Sequence, residues 1–312
     1  MARVEILMST YNGEKFIEEQ IKSIFSQKKH EIHLLIRDDG SKDNTIEIVK
    51  RLKRKFSIDF YSGKNLGPAK SFMDLVYHCG EADYYAFADQ DDIWNLNKIG
   101  DAINFISARS DGPAAYCSNL TPAKDSNTIL QDKLLSDCIA TKYTQILSRC
   151  SDIFGCTMVW NKDLQNIIVS LNPPKELAMH DYWIALIAAC YGVMLYDKDS
   201  KLLYRQHENN SVGAGISKFR NWKGRLAWIF NKTKFSAAIT AEEMLNVMKQ
   251  NENFNREFYE YTKLLKDYKN SIFSKYKYLV HADMSAMNFK QKCFHVLLVV
   301  TSSLYMWRSE YE

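Results

Sequence analysis

The chain has few of the residues that break regular backbone structure. Only 5 of its 312 residues are proline and 12 are glycine, while 46% are hydrophobic and 25% are charged. This composition argues against a mainly disordered chain, because disordered chains have far fewer apolar side chains. A chain of this length can bury one large core or two modest ones.

Paired cysteines and long apolar runs are also missing. The seven cysteines form no CxxC pair, which argues against a disulfide framework and a structural zinc site and fits a reducing compartment. The opening MARVEILMSTYNG lacks the pattern of a signal peptide, and no apolar run reaches the ~18 residues needed to span a bilayer. We therefore expect a cytoplasmic protein without a spanning helix.

What is present is an alternation of strand-like and helix-like segments. Short apolar runs predict strands at 4–8, 32–36, 58–61 and 84–88, with a helix after each of the first three. This order predicts an α/β fold with a mostly parallel sheet. Further strands are predicted at 114–118, 154–160 and 193–196 and a buried helix at 182–191, whereas only helical periodicity follows residue 216.

Polar clusters follow three of the predicted strands, at 9–12, 38–41 and 89–92. Ligands of parallel sheets bind beyond the carboxyl ends of the strands, so these clusters predict one site. Neither a GxGxxG nor a Walker A pattern occurs, so a nucleotide would not be bound as in dehydrogenases or kinases. Gly40 would allow a tight turn there, and nearby carboxylates would accept hydrogen bonds from a base or ribose.

The third cluster holds three carboxylates, Asp89, Asp91 and Asp92, within four positions. Carboxylates this close repel one another unless a cation neutralises them. Oxygen ligands suit Mg or Mn, which could bridge the phosphates of a nucleotide. The alternative is a solvated turn in which Asp92 caps a helix, but the second acidic pair, Asp38 and Asp39, favours the cation.

Seven motifs occur in an order that carries a resemblance: STYNG (9–13), IRDDGSKDNT (36–45), NLGPAKSF (65–72), FADQDDIW (87–94), FGCT (154–157), MHDYW (179–183) and LYRQH (203–207). Together they resemble family 2 glycosyltransferases of the GT-A fold. The DQDDIW form resembles bacterial rhamnosyltransferases of cell-wall or O-antigen polysaccharides. The resemblance implies a nucleotide-diphospho-sugar transferase fold with a Rossmann-like sheet, a catalytic domain at 1–212 and a helical C-terminal region at 213–312.

The resemblance also implies roles for individual residues. The donor nucleotide would contact Thr10, Tyr11, Asn12, Asp38, Asp39, Asp89 and Gln90. The divalent cation, Mn or Mg, would be bound by Asp89, Asp91 and His207, although His207 taken alone could be an ordinary surface histidine. The sugar or the acceptor would lie near Trp94, Cys156, His180 and Trp183.

Asp181 matches the position of the catalytic base. In an inverting transfer the acceptor hydroxyl attacks the anomeric carbon, and one carboxylate must take its proton. Asp181 could instead be a helix N-cap. Many relatives have Glu before this Asp, so the role of His180 stays open. Cys156 replaces an expected glycine and is interpreted as a packing residue, and core packing is the ordinary role of Trp94 and Trp183.

One stretch, 216–235, is basic and aromatic, and no acidic residue occurs between Glu208 and Glu242. It could be an amphipathic helix packed on the catalytic domain or a helix that lies on an anionic membrane. Membrane contact on the inner face of the plasma membrane would suit a lipid-linked acceptor. The C-terminal helices could alternatively form a homodimer.

The resemblance implies an inverting, metal-dependent transferase that moves L-rhamnose from dTDP-L-rhamnose onto a lipid-linked saccharide during surface polysaccharide synthesis. One alternative is a UDP-hexose donor, and another is a non-catalytic module that binds a nucleotide sugar or a polysaccharide. Binding of nucleic acid is not expected, because the predicted cleft is acidic and no recognition motif occurs.

Overall fold

The computed structural model describes residues 1–148, 153–207, 235–250, 254–285 and 287–306. The basic stretch 216–235, except for its last residue, and the predicted boundary at 212–213 lie outside these ranges. Within them, a mixed nine-stranded sheet in the order β3-β2-β1-β4-β8-β6-β9-β5 forms the centre, and β7 pairs with β6.

The first part of the chain builds a parallel half-sheet, as the alternation of patterns predicts. Its elements are β1 (Arg3–Thr10), α1 (Ile17–Phe25), β2 (Glu31–Asp38), α2 (Thr45–Lys53), β3 (Ile58–Ser62), α3 (Pro68–His78) and β4 (Tyr84–Ala88). Strand β1 pairs in parallel with β2 and β4, and β2 pairs in parallel with β3. The sheet separates two cores: Ile6 and Met8 of β1 are buried in one and Leu7 in the other.

The middle of the chain completes the sheet with antiparallel and long strands. Its elements are β5 (Ile93–Trp94), α4 (Lys98–Ser107), β6 (Ala114–Asp125), β7 (Thr128–Ile129), α5 (Tyr143–Ser148), a 3-10 turn (Gly155–Thr157), β8 (Val159–Asn161), α6 (Lys162–Ser170), α7 (His180–Tyr191) and β9 (Val193–Arg205). Strand β8 runs antiparallel to β4 and β6, while β9 runs parallel to β6 and antiparallel to β5.

Two predictions for this part need correction. The segment 154–160 was expected to be one strand, but it forms the 3-10 turn followed by the short β8. The strand expected at 193–196 instead continues to residue 205, because β9 pairs with β6 along almost its whole length and with β5 near its end. The longer strand brings residue 207 to the site described below.

The C-terminal ranges that the structure describes contain four helices, as the periodicity predicts: α8 (Ala237–Met248), α9 (Arg256–Asp267), α10 (Ile272–His281) and α11 (Phe289–Val300). Short strands β10 (Phe235–Ser236) and β11 (Tyr305–Met306) pair antiparallel. The side chains of Asn255, Ser271 and Asn288 cap α9, α10 and α11. Met244 and Leu265 share a hydrophobic core with α3 and α7, so these helices pack on the sheet-bearing part.

The helices of the described ranges were also compared with the dimensions of a bilayer. None of them combines the length and the apolar character that are needed to cross a membrane.

Candidate active site

The loops after β1 and β4 are joined by one side chain. The Oε1 atom of Gln90 accepts hydrogen bonds from Thr10 Oγ1 (2.5 Å) and Tyr11 N (3.0 Å), and its Nε2 donates to Tyr11 O (3.1 Å). The backbone N–H of Asp39, after β2, donates to Thr10 O (2.8 Å). The three polar clusters therefore meet at one edge of the sheet. Both ends of the Gln90 amide are engaged in this link.

Asn12 and Asp38 shape the loops at this edge. Asn12 has a positive φ of 49°. Its side-chain oxygen accepts from Lys42 N (2.9 Å), and its backbone N–H donates to Ser41 Oγ (2.9 Å). The buried Asp38 carboxylate accepts from the N–H groups of Gly40 and Ser41, each at 3.1 Å. Gly40 has φ 85°, which confirms the tight turn expected of it.

Asp39 connects the end of β2 to the loop before α3. Its carboxylate forms an ion pair with Arg37 and accepts from Leu66 N (3.2 Å) and Gly67 N (3.1 Å). Arg37 is fixed in turn by Asp74, at 2.9 Å. Tyr11, the residue after Thr10, is 41% exposed, so a ligand can reach its ring.

The acidic centre of the site joins Asp89, Asp91 and Asp181. Burial, followed by the negative charges of Asp91 and Asp181, raises the pKa of Asp89 to about 7. Asp91 and Asp181 both disfavour the ionised form of Asp89, so the three carboxylates form one region of negative potential. This region is the environment in which a divalent cation or a cationic partner is favoured.

His207 contacts the same acidic centre. Its Nε2 lies 2.8 Å from Asp91 Oδ2, and its ring stacks on Phe16 with the centroids 4.8 Å apart. Arg205 Nε donates to the backbone oxygen of Asp91 (2.8 Å), which ties β9 to the DQDD loop. His207 is therefore a fixed part of the site and not an isolated surface histidine.

The pair of Asp91 and His207 fits a small divalent cation. Adjacent ligands around Mg or Mn lie about 3 Å apart, which matches the observed separation. Both side chains keep some solvent access, so a phosphate could reach the same position. These two residues, with Asp89 beside them, could hold Mn or Mg.

A second group lies deeper: ligand atoms of Asp89, Asp92 and Cys156 lie within 4.8 Å of one another. Asp92 is fully buried, and burial together with Asp91 and Asp89 raises its pKa. A thiol is a poor ligand for Mg or Mn, and the burial leaves no path for a diphosphate. Asp92 also accepts from Arg205 N (3.2 Å), so it links the loop to β9 and does not cap a helix.

Lys98 is a buried residue that sequence reasoning missed. Its ammonium lies 3.7 Å from the centre of the Trp94 ring, and burial lowers its pKa to about 7. Cys156 and Asp92 lie nearby and partly oppose this lowering of the Lys98 pKa. A lysine at the start of a helix is normally solvated, and its spacing from Trp94 was the one available signal.

Asp181 lies in the first turn of α7, where two backbone groups hold its carboxylate. Oδ2 accepts from Gly155 N (2.9 Å) and Oδ1 from Tyr182 N (2.7 Å). Burial raises the pKa of Asp181 to about 6 in spite of these bonds. The N-cap of α7 is Met179, so the N-cap interpretation of Asp181 was wrong.

His180 has an apolar environment. Its ring stacks on Phe72 (4.0 Å) and meets the edge of Phe87 (4.7 Å), and burial lowers its pKa to about 3. Neither ring nitrogen has a hydrogen-bond partner within the described ranges. A Cβ on Gly155 would come within 2.7 Å of His180 Nε2, so the glycine is needed here. His180 is a neutral packing residue in this structure.

Both tryptophans and Cys156 are also packing residues. Trp94 and Cys156 are buried in one hydrophobic core and Trp183 in the other. An indole ring that stacks on a sugar needs an open face, so the expectation of sugar or base contacts for Trp94 and Trp183 needs correction. Burial raises the pKa of the Cys156 thiol, which agrees with a packing role.

Comparison with known proteins identifies the family. The model "Glycosyl transferase family 2" matches residues 5–159. The chain is 34% identical over 260 residues to the dTDP-rhamnosyl transferase RfbG of Shigella flexneri. This match covers 77% of this chain and 86% of the relative. The chain belongs to glycosyltransferase family 2. A second relative, an uncharacterized glycosyltransferase alr2836 of Nostoc sp., is 26% identical over 68% of this chain and 67% of its own length.

Solved structures confirm the GT-A fold of this family 2 glycosyltransferase. Staphylococcus aureus TarS 1-349 in complex with UDP matches 97% of this chain and 88% of its own, with a TM-score of 0.56 and 15% identity. The mannosyltransferase PcManGT of Pyrobaculum calidifontis, in complex with GDP-Man and Mn2+, matches 97% of this chain and 85% of its own, with a TM-score of 0.52 and 13% identity.

Proposed function

We propose that this family 2 glycosyltransferase transfers L-rhamnose from dTDP-L-rhamnose, with inversion and with the help of Mn or Mg, onto a lipid-linked saccharide of a surface polysaccharide. The observation that carries the donor is the 34% identity to a dTDP-rhamnosyl transferase over most of both chains. The seven sequence motifs of the site lie between residue 9 and residue 207 of this chain.

The donor nucleotide has a candidate binding surface at the ends of β1 and β2. Tyr11 offers an exposed ring on which a base can stack. Thr10, Asn12, Asp38 and Gln90 would act mainly by holding the loops, because their polar groups already make the hydrogen bonds described above. The Asp39 carboxylate would be the acceptor for a base N–H through Oδ1, because Leu66 N and Gly67 N both donate to its other oxygen, Oδ2.

The departing diphosphate would lie over Asp91 and His207. Bound there with Asp89 alongside, Mn or Mg would neutralise the negative charge that develops on the leaving group. The DQDD loop carries Asp91 and the segment directly after β9 carries His207, and His207 Nε2 lies 2.8 Å from Asp91 Oδ2, so the two would hold the cation from two sides. Phe16 holds the imidazole in place.

Asp181 would be the base. The acceptor hydroxyl would attack the anomeric carbon from the face opposite the departing dTDP, forming the new glycosidic bond while the bond to the phosphate oxygen breaks. Asp181 would take the hydroxyl proton. Its raised pKa of about 6 supports this role, because the group is mostly ionised near neutral pH and yet is a stronger base than an ordinary aspartate.

A donor panel tests the proposal. The purified full chain is incubated with dTDP-rhamnose, UDP-glucose, UDP-galactose or UDP-GlcNAc, with Mn or Mg or with EDTA, and the released nucleoside diphosphate is measured. We expect turnover of dTDP-rhamnose only, and loss of that turnover in EDTA. Turnover of a UDP-sugar would replace the donor and keep the transferase, whereas full activity in EDTA would remove the cation from the proposal.

A further inference from the structure

Helix α10 exposes an apolar face. Ile272, Phe273, Tyr276 and Val280 are between 61% and 86% exposed. At about 100° per residue, their side chains lie within an arc of about 100° on one side of the helix. Tyr278, on the opposite side, is fully buried and donates to Ser148 Oγ (3.2 Å). Helix α10 therefore packs on the protein with the side that carries Tyr278 and exposes its apolar side to solvent.

Helix α11 repeats this arrangement. Its buried residues are His295, Leu298 and Val299. Its exposed apolar residues are Phe289, Val296, Leu297 and Val300, between 38% and 80% exposed, and they also lie within an arc of about 100°. The buried side chains of the two helices enter one shared cluster, in which the rings of Tyr278 and His295 are 5.9 Å apart and Tyr278 reaches Ser148 of α5. Both apolar arcs consequently point away from the core.

We refer to these two arcs together as the α10–α11 face. Eight large apolar side chains in water are unfavourable, by about 25 cal/mol for each Å² of apolar surface, and clusters of this kind mark a binding surface. Isolated apolar residues elsewhere, such as Ile129 and Leu130 at β7, are exposed without such a partner helix. The α10–α11 face therefore needs an occupant.

The charges around the face indicate what that occupant is. Residues 268–306 contain five lysines and one acid, Asp283, which accepts hydrogen bonds from Thr144 Oγ1 (3.1 Å) and Ser285 N (3.1 Å). On the helical projection, lysines border both edges of each apolar arc. They are Lys277 on α10 and Lys290 and Lys292 on α11, together with Lys275, whose ammonium donates to Val300 O (2.7 Å) and so joins the two arcs.

This pattern fits a lipid surface better than a protein. A lysine stem can lie along acyl chains while its ammonium reaches the phosphate layer, and each lysine near an anionic surface contributes about 1 kcal/mol. Aromatic and aliphatic side chains between such lysines are typical of helices that lie in the membrane interface. Protein–protein interfaces, by contrast, are depleted in lysine.

We propose that the α10–α11 face binds the surface of an anionic phospholipid membrane, with both helices lying in its plane. The inference deepens the proposed function, because a lipid-linked acceptor would be met at that surface, and it rests on the proposed function only in that respect. It concerns described helices and is independent of the basic stretch 216–235.

Vesicle sedimentation with the full chain tests this proposal. Wild type is mixed with vesicles of phosphatidylcholine alone or with added phosphatidylglycerol, and the bound fraction is measured. We expect binding to the anionic vesicles, weakened about tenfold or more in the triple variant Phe273→Ser, Tyr276→Ser, Phe289→Ser. The matched control is Ile129→Ser, Leu130→Ser, Val169→Ser, which removes exposed apolar side chains elsewhere and should bind as wild type does.

A charge variant separates lipid binding from general stickiness. Replacing Lys277, Lys290 and Lys292 by Gln should weaken binding to the anionic vesicles and make it less sensitive to salt, whereas the same change at Lys28, Lys55 and Lys124 should have no effect. All the replaced side chains are at the surface, so we expect each variant to stay folded. Thermal unfolding of each variant verifies this.

Three results would overturn the proposal: no binding of wild type to either kind of vesicle, unchanged binding of the folded face variant, or equal losses in the face variant and its control. A wild-type dimer that becomes monomeric in the face variant, without vesicle binding, would assign the face to a second copy of the chain. Nucleotide release in vesicle-free buffer reports the transferase separately, so vesicle binding without donor turnover would contradict the proposed function alone.

Discussion

The Asp181 carboxylate combines two requirements of a catalytic base. Two backbone N–H groups fix its orientation, those of Gly155 and Tyr182. Burial outweighs the effect of these hydrogen bonds and raises its pKa from 3.8 to about 6. A carboxylate that is fixed and partly desolvated can accept a proton from a hydroxyl without first reorganising its surroundings.

The pH dependence of the rate tests this assignment. The base acts only when ionised, so kcat/KM should fall about tenfold per pH unit below pH 6. An aspartate at the ordinary value of 3.8 would keep the rate constant to about pH 4. Asp181→Asn should lower turnover by about a thousandfold and spare donor binding, and the remaining activity should lose the acidic limb.

The matched control for this change is Asp163→Asn, an exposed aspartate at the start of α6. It should leave both the rate and the pH profile unchanged. A profile of Asp181→Asn that keeps the acidic limb would assign that limb to Asp89, whose pKa is raised to about 7. A near-normal rate would remove Asp181 as the base.

Some residues of the site could be predicted from the sequence and others could not. Asp91, Asp181 and His207 were recognisable because family motifs mark them, and the structure brings them to one region. Lys98 was not recognisable, because only the tertiary structure shows that its ammonium is buried on Trp94. The same holds for Asp92, whose partner Arg205 is more than a hundred residues away.

At the level of secondary-structure elements, the Gln90 side chain connects the loop after β1 to the DQDD loop. It makes three hydrogen bonds across the 79 or 80 residues that separate it from Tyr11 and Thr10. A Cβ on Gly13 would collide with its Oε1 at 2.2 Å, so the first loop is shaped closely around this amide. The relative position of Tyr11 and the DQDD loop therefore depends on one side chain.

Removal of the Gln90 side chain should weaken donor binding more than it slows the chemical step. Gln90→Ala deletes three hydrogen bonds worth roughly 1 kcal/mol each, part of which is regained from water. We expect the KM for the donor to rise about tenfold, with a smaller change in kcat, in steady-state kinetics. Gln131→Ala, on an exposed loop, is the control and should change neither constant. An unchanged KM would show that the two loops keep their positions without Gln90.

Whole elements were predicted where local pattern decides them. β1, β2, β3 and β4 are short apolar runs between turn residues, and α7 is a long buried helix with a clear apolar run. The 3-10 turn at Gly155–Thr157 was read as strand, because the bond from Gly155 N to Asp181 is invisible in a local window. The length of β9 was missed for the same reason, since pairing with β6 extends it.

On the scale of the whole molecule, the site joins segments that are far apart in the chain. Residues from the loops after β1, β2 and β4 meet Asp181 of α7 and His207 beyond β9, so the site exists only when the complete sheet is formed. The C-terminal helices share a hydrophobic core with α7, the helix that carries Asp181. Ligand binding should consequently stabilise the fold as a unit.

Thermal unfolding in the presence of ligand measures this coupling. A ligand at about 100 times its Kd stabilises the folded state by about 2.7 kcal/mol, which corresponds to a rise in Tm of several degrees for a chain of this size. We expect dTDP with Mn to produce such a rise and EDTA to remove most of it. Asp91→Asn and His207→Ala should each reduce the rise, whereas Asp163→Asn should keep it. If dTDP raised the Tm equally with Mn and with EDTA, the nucleotide would bind without a cation, and the 2.8 Å contact between Asp91 and His207 would then be a hydrogen bond within the protein.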